Sequence, residues 1–405
     1  MLQLSKRARR IRLSPNAAAG QRAKDLAAQG RDILVLTSGE PDFDTPAPVR
    51  AAGIAAIEGG QTRYTAMPGI APLRQAIAAQ LARSQGLDVA PAQVVVSNGA
   101  KQVLYQALAA TLDPGDEAIV PAPYWPAFID MVLLCDAKPV VVPTTPASGF
   151  KLTAAQLAAA LTPRTRVLIL NSPGNPSGAV YGEAEWLALA EVLRAYPQVV
   201  VVLDEIYEHI RFDDAPSRHL LVLAPDLAAR TVLVNGASKT YAMTGWRVGW
   251  GIAPLPLAQA MTALQSQVSS APSAISQAAA LAAIEGDQGF VREAAAAYRR
   301  RRDIVVDGLA RVPGLQLLPP QGAFFAFVHV NGLLGRRTSA GRLLATDADV
   351  TDWLLDEAGV AVVDGASFGL SPYIRLSTAA SDEMLRDAVR RIAEAVAALP
   401  EGGHG

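Results

Sequence analysis

Thr231-Val-Leu-Val-Asn-Gly-Ala-Ser-Lys-Thr-Tyr-Ala-Met-Thr-Gly-Trp-Arg247 is an apolar run that ends in a turn of small residues carrying a lysine. That residue, Lys239, is one of six lysines among 36 basic residues, and the only one from residue 152 onward. Arginine fills the other cationic positions there. A surface charge tolerates either residue. An amine that must attack a carbonyl and form an imine does not, because guanidinium stays protonated and is no nucleophile. Taken alone, Lys239 also reads as a solvated loop lysine. Its surroundings in the sequence decide against that.

Outward from this stretch, short apolar runs alternate with longer Ala- and Leu-rich segments of helical period. The runs lie at 33–36, 94–96, 118–120, 140–142, 167–170, 199–203 and 232–234. They are rich in valine and apolar on both faces, as strands covered by helices on each side must be. Helices are predicted between them at 70–85, 101–112, 154–161 and 184–196. This alternation implies an α/β fold built on a large, mostly parallel, seven-stranded sheet between helices. The pattern breaks after Trp250, where helices are predicted at 256–270, 274–285 and 288–310. Beyond them an α+β stretch carries strands at 324–330, 361–363 and 374–376 and helices at 347–358 and 382–399. We expect a large domain at 48–295 and a smaller α+β domain made of 1–47 and 296–405.

Composition narrows the function. The chain has 405 residues, 51% of them hydrophobic, and a formal charge of −1. It can bury a sizeable core, and its charge gives no reason to expect nucleic acid or a membrane as partner. One cysteine, Cys135, excludes an intramolecular disulfide and a cysteine metal site, and the four histidines lack metal-ligand spacing. No apolar stretch reaches ~18 residues, so no membrane span is predicted. A cytoplasmic setting is expected. The basic segment at 6–12 lacks the apolar continuation of a signal peptide. The tail at 401–405 reads as frayed, and Arg299 to Arg302 as a solvated helical face.

In α/β sheets, ligands sit at the carboxyl ends of the strands, and four such ends carry unusual polar residues. After 94–96 comes Ser97-Asn-Gly-Ala-Lys101, where Gly99 permits close backbone approach and the free N–H groups of a helix start suit a phosphate. After 167–170 comes Asn171-Ser-Pro-Gly-Asn-Pro-Ser-Gly178, which can aim the Asn175 amide into a site. After 199–203 comes Asp204-Glu-Ile-Tyr207. A carboxylate ending a buried strand is costly without a cation, and a protonated heterocycle nitrogen would satisfy Asp204. After 232–234 comes Lys239, with Arg247 eight residues on. An imine-forming amine, a carboxylate for a ring nitrogen, donors for a ring oxygen and a phosphate site together describe a pocket for pyridoxal 5′-phosphate.

With these residues in view, the chain resembles the class I/II aminotransferases of fold type I, the aspartate aminotransferase superfamily. The likeness is to the bacterial branch that also holds prephenate and aromatic aminotransferases. It rests on eight motifs in order: Gly39-Glu-Pro-Asp-Phe-Asp-Thr-Pro46, Tyr64-Thr-Ala-Met-Pro-Gly69, Ser97 to Gln102, Pro123-Tyr-Trp125, Asn175-Pro-Ser-Gly178, Asp204 to Tyr207, Ser238 to Arg247 and Tyr373-Ile-Arg-Leu-Ser377. The resemblance implies a ping-pong transfer of an amino group between an L-amino acid and a 2-oxo acid. Lys239 would hold the cofactor as an internal aldimine and act as general base and acid. Asp204 would keep the pyridine nitrogen protonated, and Asn175 and Tyr207 would bond the ring hydroxyl. Trp125 would stack on the ring. Gly99, Ala100, Lys101, Ser238 and Arg247 would bind the phosphate, with Tyr64 reaching in from the other subunit of a homodimer. Arg375 would grip the substrate α-carboxylate in a bidentate fork. Trp125, Asn175 and Gly39 would line the substrate site. Arg12 falls where relatives of this branch place a cation that reads a second substrate carboxylate, although a threonine common nearby is Asn16 here. Gly236 stands where relatives often carry serine, which would remove one phosphate contact.

Three rivals stand beside this reading. Gly365-Ala-Ser-Phe-Gly369 matches the serine-hydrolase elbow, but an apparent strand follows it where a helix is needed. A regulator with a DNA-binding module fused to an aminotransferase-like domain is disfavoured by the 38 residues before Gly39 and the lack of a basic domain. A carbon–sulfur β-lyase would use the same lysine and aspartate, because the cofactor carries the chemistry.

Overall fold

The computed structural model describes residues 2–11, 15–212 and 218–400. The expectations for Arg12 and for the tail at 401–405 lie outside them.

A short strand β1 (Leu34–Val35) precedes the main sheet. That sheet is built from β2 (Val94–Ser97), β3 (Glu117–Ala122), β4 (Lys138–Pro143), β5 (Thr165–Asn171), β6 (Val200–Asp204), β7 (Thr231–Gly236) and β8 (Gly249–Ile252), in the spatial order β2-β8-β7-β6-β5-β3-β4. Only β8 runs against its neighbours; the other pairings are parallel. Alternate residues of β2, β3, β5, β6 and β7 enter two different cores. Leu168, Leu170, Val201 and Leu203 face one, while Val167, Ile169 and Val202 face the other. A sheet buried on both faces needs strands apolar at every position, which is why these runs do not alternate with polar residues.

The remaining strands are β9 (Gln316–Leu317), β10 (Phe325–His329), β11 (Val360–Ala361), β12 (Val363–Asp364) and β13 (Tyr373–Ser377). Four of them form an antiparallel sheet in the order β12-β13-β10-β9. Its core holds Val328, Ile374 and Leu376 with Val305, Leu385 and Ile392 of the helices Gly289–Leu309 and Asp382–Ala397. Ser381 caps the last helix by accepting the Met384 N–H, with Asp382 and Glu383 in its first turn.

Two strands fall elsewhere than the sequence pattern suggests. The run at 33–36 is not in the main sheet: Leu34 and Val35 pair with Val360 and Ala361. The seventh strand is β8, at the place where the apolar alternation breaks. Its glycines are steric. A Cβ on Gly249 would lie 2.2 Å from the Ala100 nitrogen, and one on Gly251 2.5 Å from Val103. The strand lies too close to the helix Ala100–Ala109 for the valines that mark its neighbours. No helix among the described residues is long and apolar enough to cross a membrane.

Candidate active site

The carboxyl ends of β5, β6 and β7 lie side by side, with Asn171 opposite Asp204 and Asp204 opposite Val234. There the backbone leaves the sheet and polar side chains can turn into open space. A cavity of about 390 Å³ occupies that space, and residues of the main sheet, of the 38–40 segment and of β13 line it.

Lys239 sits on the four-residue helix Ala237–Thr240 that directly follows β7. Its Nζ donates to the Gly39 carbonyl at 2.5 Å. Burial pushes its ammonium down to about 8, opposed by the charge of nearby Glu40. A buried lysine that sheds its proton near neutrality is a competent nucleophile. Asp204 is 4% exposed, and its Oδ1 accepts the Ile206 N–H at 3.1 Å. Burial pushes its carboxyl up to about 7, and among the described residues it makes no ion pair. The site therefore holds a buried carboxyl group with no direct ion-pair partner, and only the more distant Lys239 charge opposes the effect of its burial. Tyr207 is buried against Phe324 and Phe325, and burial raises its phenol.

Arg375 comes from the other sheet and is fully buried. Its Nη1 donates to Asn175 Oδ1 at 3.1 Å and its Nη2 to the Thr37 carbonyl at 2.6 Å, while its Nε has no partner. Its guanidinium stacks over Phe325 and Phe368, at 4.5 and 4.9 Å from the ring centroids. Burial pushes it down to about 10, so it stays charged at neutral pH. A charged, unpaired guanidinium edge in a dry wall suits a carboxylate.

At the far end, β2 runs into the helix Ala100–Ala109 through Gly99, whose φ of +87° only glycine adopts easily. A Cβ there would lie 2.4 Å from Arg247 Nη2. Arg247 donates to the Thr244 carbonyl at 2.8 Å. Lys101 places its Nζ 4.8 Å over the Trp125 ring, which meets Phe128 edge-on. A helix start, a lysine and an arginine make this end cationic.

Gly39, Ala100, Lys101, Trp125, Asn175, Asp204, Tyr207, Ser238, Lys239, Arg247 and Arg375 all line the cavity. Gly99 lies against Arg247 beside it. Tyr64 is not brought to the cavity of its own chain, being 91% exposed. Ser38, Glu40, Asn171 and Thr244 line the cavity without having been singled out in the sequence. For Glu40 and Thr244 a signal existed, since both fall within recognised motifs; the Thr244 hydroxyl donates to Glu40. The hydrolase elbow is absent. Ser367 lies in a 3-10 turn and donates its hydroxyl to Asp364 at 2.9 Å. Among the described residues no cluster of His, Cys, Asp and Glu could hold a metal ion.

Comparison with known proteins agrees with this geometry. The family model for aminotransferase class I and II matches residues 31–392. An aspartate aminotransferase of Rhizobium meliloti (strain 1021) is 47% identical over 376 residues, covering 93% of this chain and 92% of that one. An aspartate/prephenate aminotransferase of Cereibacter sphaeroides is 47% identical over 392 residues, covering 97% and 98%. Among solved structures, the aspartate aminotransferase of Rhizobium meliloti superposes with a TM-score of 0.96 at 45% identity, covering 99% of this chain and 100% of that one. The Thermus thermophilus aspartate aminotransferase with maleate gives 0.91 at 38%, covering 98% and 100%. The chain belongs to the class I and II aminotransferases, and it is an enzyme of fold type I that transfers amino groups between small amino and oxo acids.

Proposed function

We propose that this aminotransferase works with pyridoxal 5′-phosphate held by Lys239, and that it exchanges the amino group of an L-amino acid, with L-aspartate the first candidate, for a 2-oxo acid by a ping-pong mechanism. The observation that carries the reading is the presence in one cavity of an amine lowered to about 8 and a buried carboxyl group without a direct ion-pair partner. The residues fit the group: Asp204 has no directly paired cation, which a protonated ring nitrogen would provide, and Gly99 leaves room where a Cβ would strike Arg247. Bound there, the cofactor supplies an aldehyde and an electron-accepting ring.

The chain's own residues then have separate tasks. Arg375 binds the substrate α-carboxylate through its unpaired edge and so orients the Cα–H bond. Lys239 Nζ would take the proton from the substrate Cα as general base. Asn175 ties Arg375 to the cofactor side of the cavity, and Tyr207 offers its phenol there. Gly99, Ala100, Lys101, Ser238 and Arg247 hold the phosphate. Trp125 and Gly39 bound the substrate space. Arg12 remains the candidate reader of a second carboxylate, and the names of the relatives support a dicarboxylic partner.

A homodimer follows from the same reading. Tyr64 is 91% exposed, and Ile54 and Ile57, close to it in sequence, are more than half exposed, as is Val268. Tyr64 would complete the partner's phosphate site. We assign a large domain to 48–295 and a small one to 1–47 and 296–405, with the boundary inside the helix Gly289–Leu309. We place the enzyme in the cytoplasm. The β-lyase alternative has no observation in its favour.

The test is a half-reaction. Protein loaded with the cofactor and mixed with L-aspartate, without acceptor, should release one oxo acid per site and then stop. Continuous release of pyruvate and ammonia from a sulfur amino acid would replace transamination by elimination. Lys239→Ala should abolish either.

A further inference from the structure

The segment 37–45 lies across the cavity as a strap. The Thr37 carbonyl accepts Arg375 Nη2 at 2.6 Å and the Gly39 carbonyl accepts Lys239 Nζ at 2.5 Å. Glu40 accepts the Thr244 hydroxyl. Thr45 donates to the Ala242 carbonyl at 2.6 Å and accepts Trp246 Nε1 at 3.0 Å. Between these contacts the strap is held from the side away from the cavity. Arg301, on the helix Gly289–Leu309, pairs with Asp42 through two parallel bonds of 2.8 Å each. Its side chain is 9% exposed. Its guanidinium lies 4.9 Å over Phe43 and 5.7 Å over Tyr298, and Phe43 meets Phe290 and Tyr298 edge-on. Arg301 Nε is 3.5 Å from Asp382, which Arg300 also holds at 2.7 Å. The guanidinium thus bonds the strap to the helix Gly289–Leu309, with Asp382 of the last helix at ion-pair distance from its Nε.

We propose that Arg301 and Asp42 are positioning residues for substrate binding: their two-point pairing fixes the strap so that the Thr37 carbonyl holds Arg375 in its carboxylate-binding pose. The inference rests on the reading of Arg375 given above. Arg375 has two hydrogen-bond partners, and one of them is the strap. The Lys239 side chain touches the strap through the Gly39 carbonyl, but its backbone is held independently: the helix Ala237–Thr240 continues from β7, and the Ala237 N–H is held by the Val248 carbonyl. Loosening the strap therefore weakens substrate binding in ground state and transition state alike, and such a change raises KM while leaving kcat. Lysine keeps the charge of Arg301 but not the fork, so Arg301→Lys isolates the geometry. Asp42→Asn tests the partner with little change of volume.

The experiment measures KM and kcat for the amino donor found in the half-reaction assay, in wild type, Arg301→Lys, Asp42→Asn, the double variant and Arg375→Lys. Hydrogen exchange of the strap amides is followed in the same proteins. The expected result is a KM raised about tenfold with kcat within about twofold in each single clamp variant, and no further rise in the double variant. Exchange should quicken at 37–45 and stay unchanged at Ala237–Thr240. If KM is unchanged in Arg301→Lys and Asp42→Asn while only the melting temperature falls, the pair is a structural clamp and the proposal fails. If Arg375→Lys also leaves KM unchanged, it is the carboxylate reading of Arg375 that has failed.

Discussion

At the scale of single residues, the site is a set of charges that the apoprotein holds at a cost. Asp204 has an ordinary carboxyl value of 3.8, raised to about 7 by burial. The folded state therefore binds its proton more tightly than the unfolded state, and the stability linked to this group is lost as pH rises from about 4 to 7. Asp204→Asn removes that dependence. The cofactor-free variant should gain stability relative to wild type between pH 4.5 and pH 8, by an amount on the order of 4 kcal/mol at most. Urea melts at the two pH values measure it, and equal gains at both would refute it. If pyridoxal phosphate binds as we propose, the order should reverse with it present, because the charged carboxylate would then face a ring cation. Lys239 runs the other way. Its value is lowered from 10.5 to about 8, so the cost of its burial fades as pH rises through that window. Arg375→Lys keeps a charge and loses the fork. It should lower kcat/KM by roughly a hundredfold, about 2–3 kcal/mol, with most of the loss in KM.

At the scale of elements, the telling strand is β8. It lies between β2 and β7 and runs antiparallel to both, and its glycines let the helix Ala100–Ala109, which on our reading holds the phosphate, approach. Gly249→Ala would force a Cβ to within 2.2 Å of the Ala100 nitrogen. Overpacking of this kind costs about 1–3 kcal/mol. We expect that loss in a denaturant melt, together with weaker cofactor retention on dialysis, since the displaced atom begins the helix to which we assign the phosphate. A Gly251→Ala variant, which strikes the Val103 side chain instead, should lose stability with less effect on retention. Most of the parallel strands were legible because burial on both faces makes them valine-rich; the edge strand β4 is valine-rich without being buried. β8 was not, because close packing replaced its side chains by hydrogen. β1 was legible as a strand but not as to its sheet, because a short apolar run carries no record of which neighbour it pairs with.

At the scale of the whole molecule, the cavity is assembled from two sheets, and on our reading from two chains. If Tyr64 serves the partner's site, a dimer mixed from Lys239→Ala and Tyr64→Ala chains contains one intact site. Neither parent homodimer should match it. Tyr64→Ala alone should bind the cofactor more weakly, and mixing should restore a wild-type component to the binding curve. A mixture that merely averages its parents would place Tyr64 outside the site.

The sequence by itself determined the chemistry and the class of fold. Strand ends are local, so Asp204, Lys239, Gly99 and Asn175 could be placed at one edge of a sheet from apolar runs and the residues that follow them. The tertiary structure decided what had to arrive from elsewhere in the chain. Arg375 sits in the middle of a buried strand, and nothing local distinguishes it from a salt-bridged core arginine until β13 is laid beside the 37–45 strap. Arg301, read as part of a solvated helical face, turns out to be buried against Phe43 and paired with Asp42. A helix's charge pattern reports the residues it carries, but which of them meets a carboxylate depends on what packs against the helix.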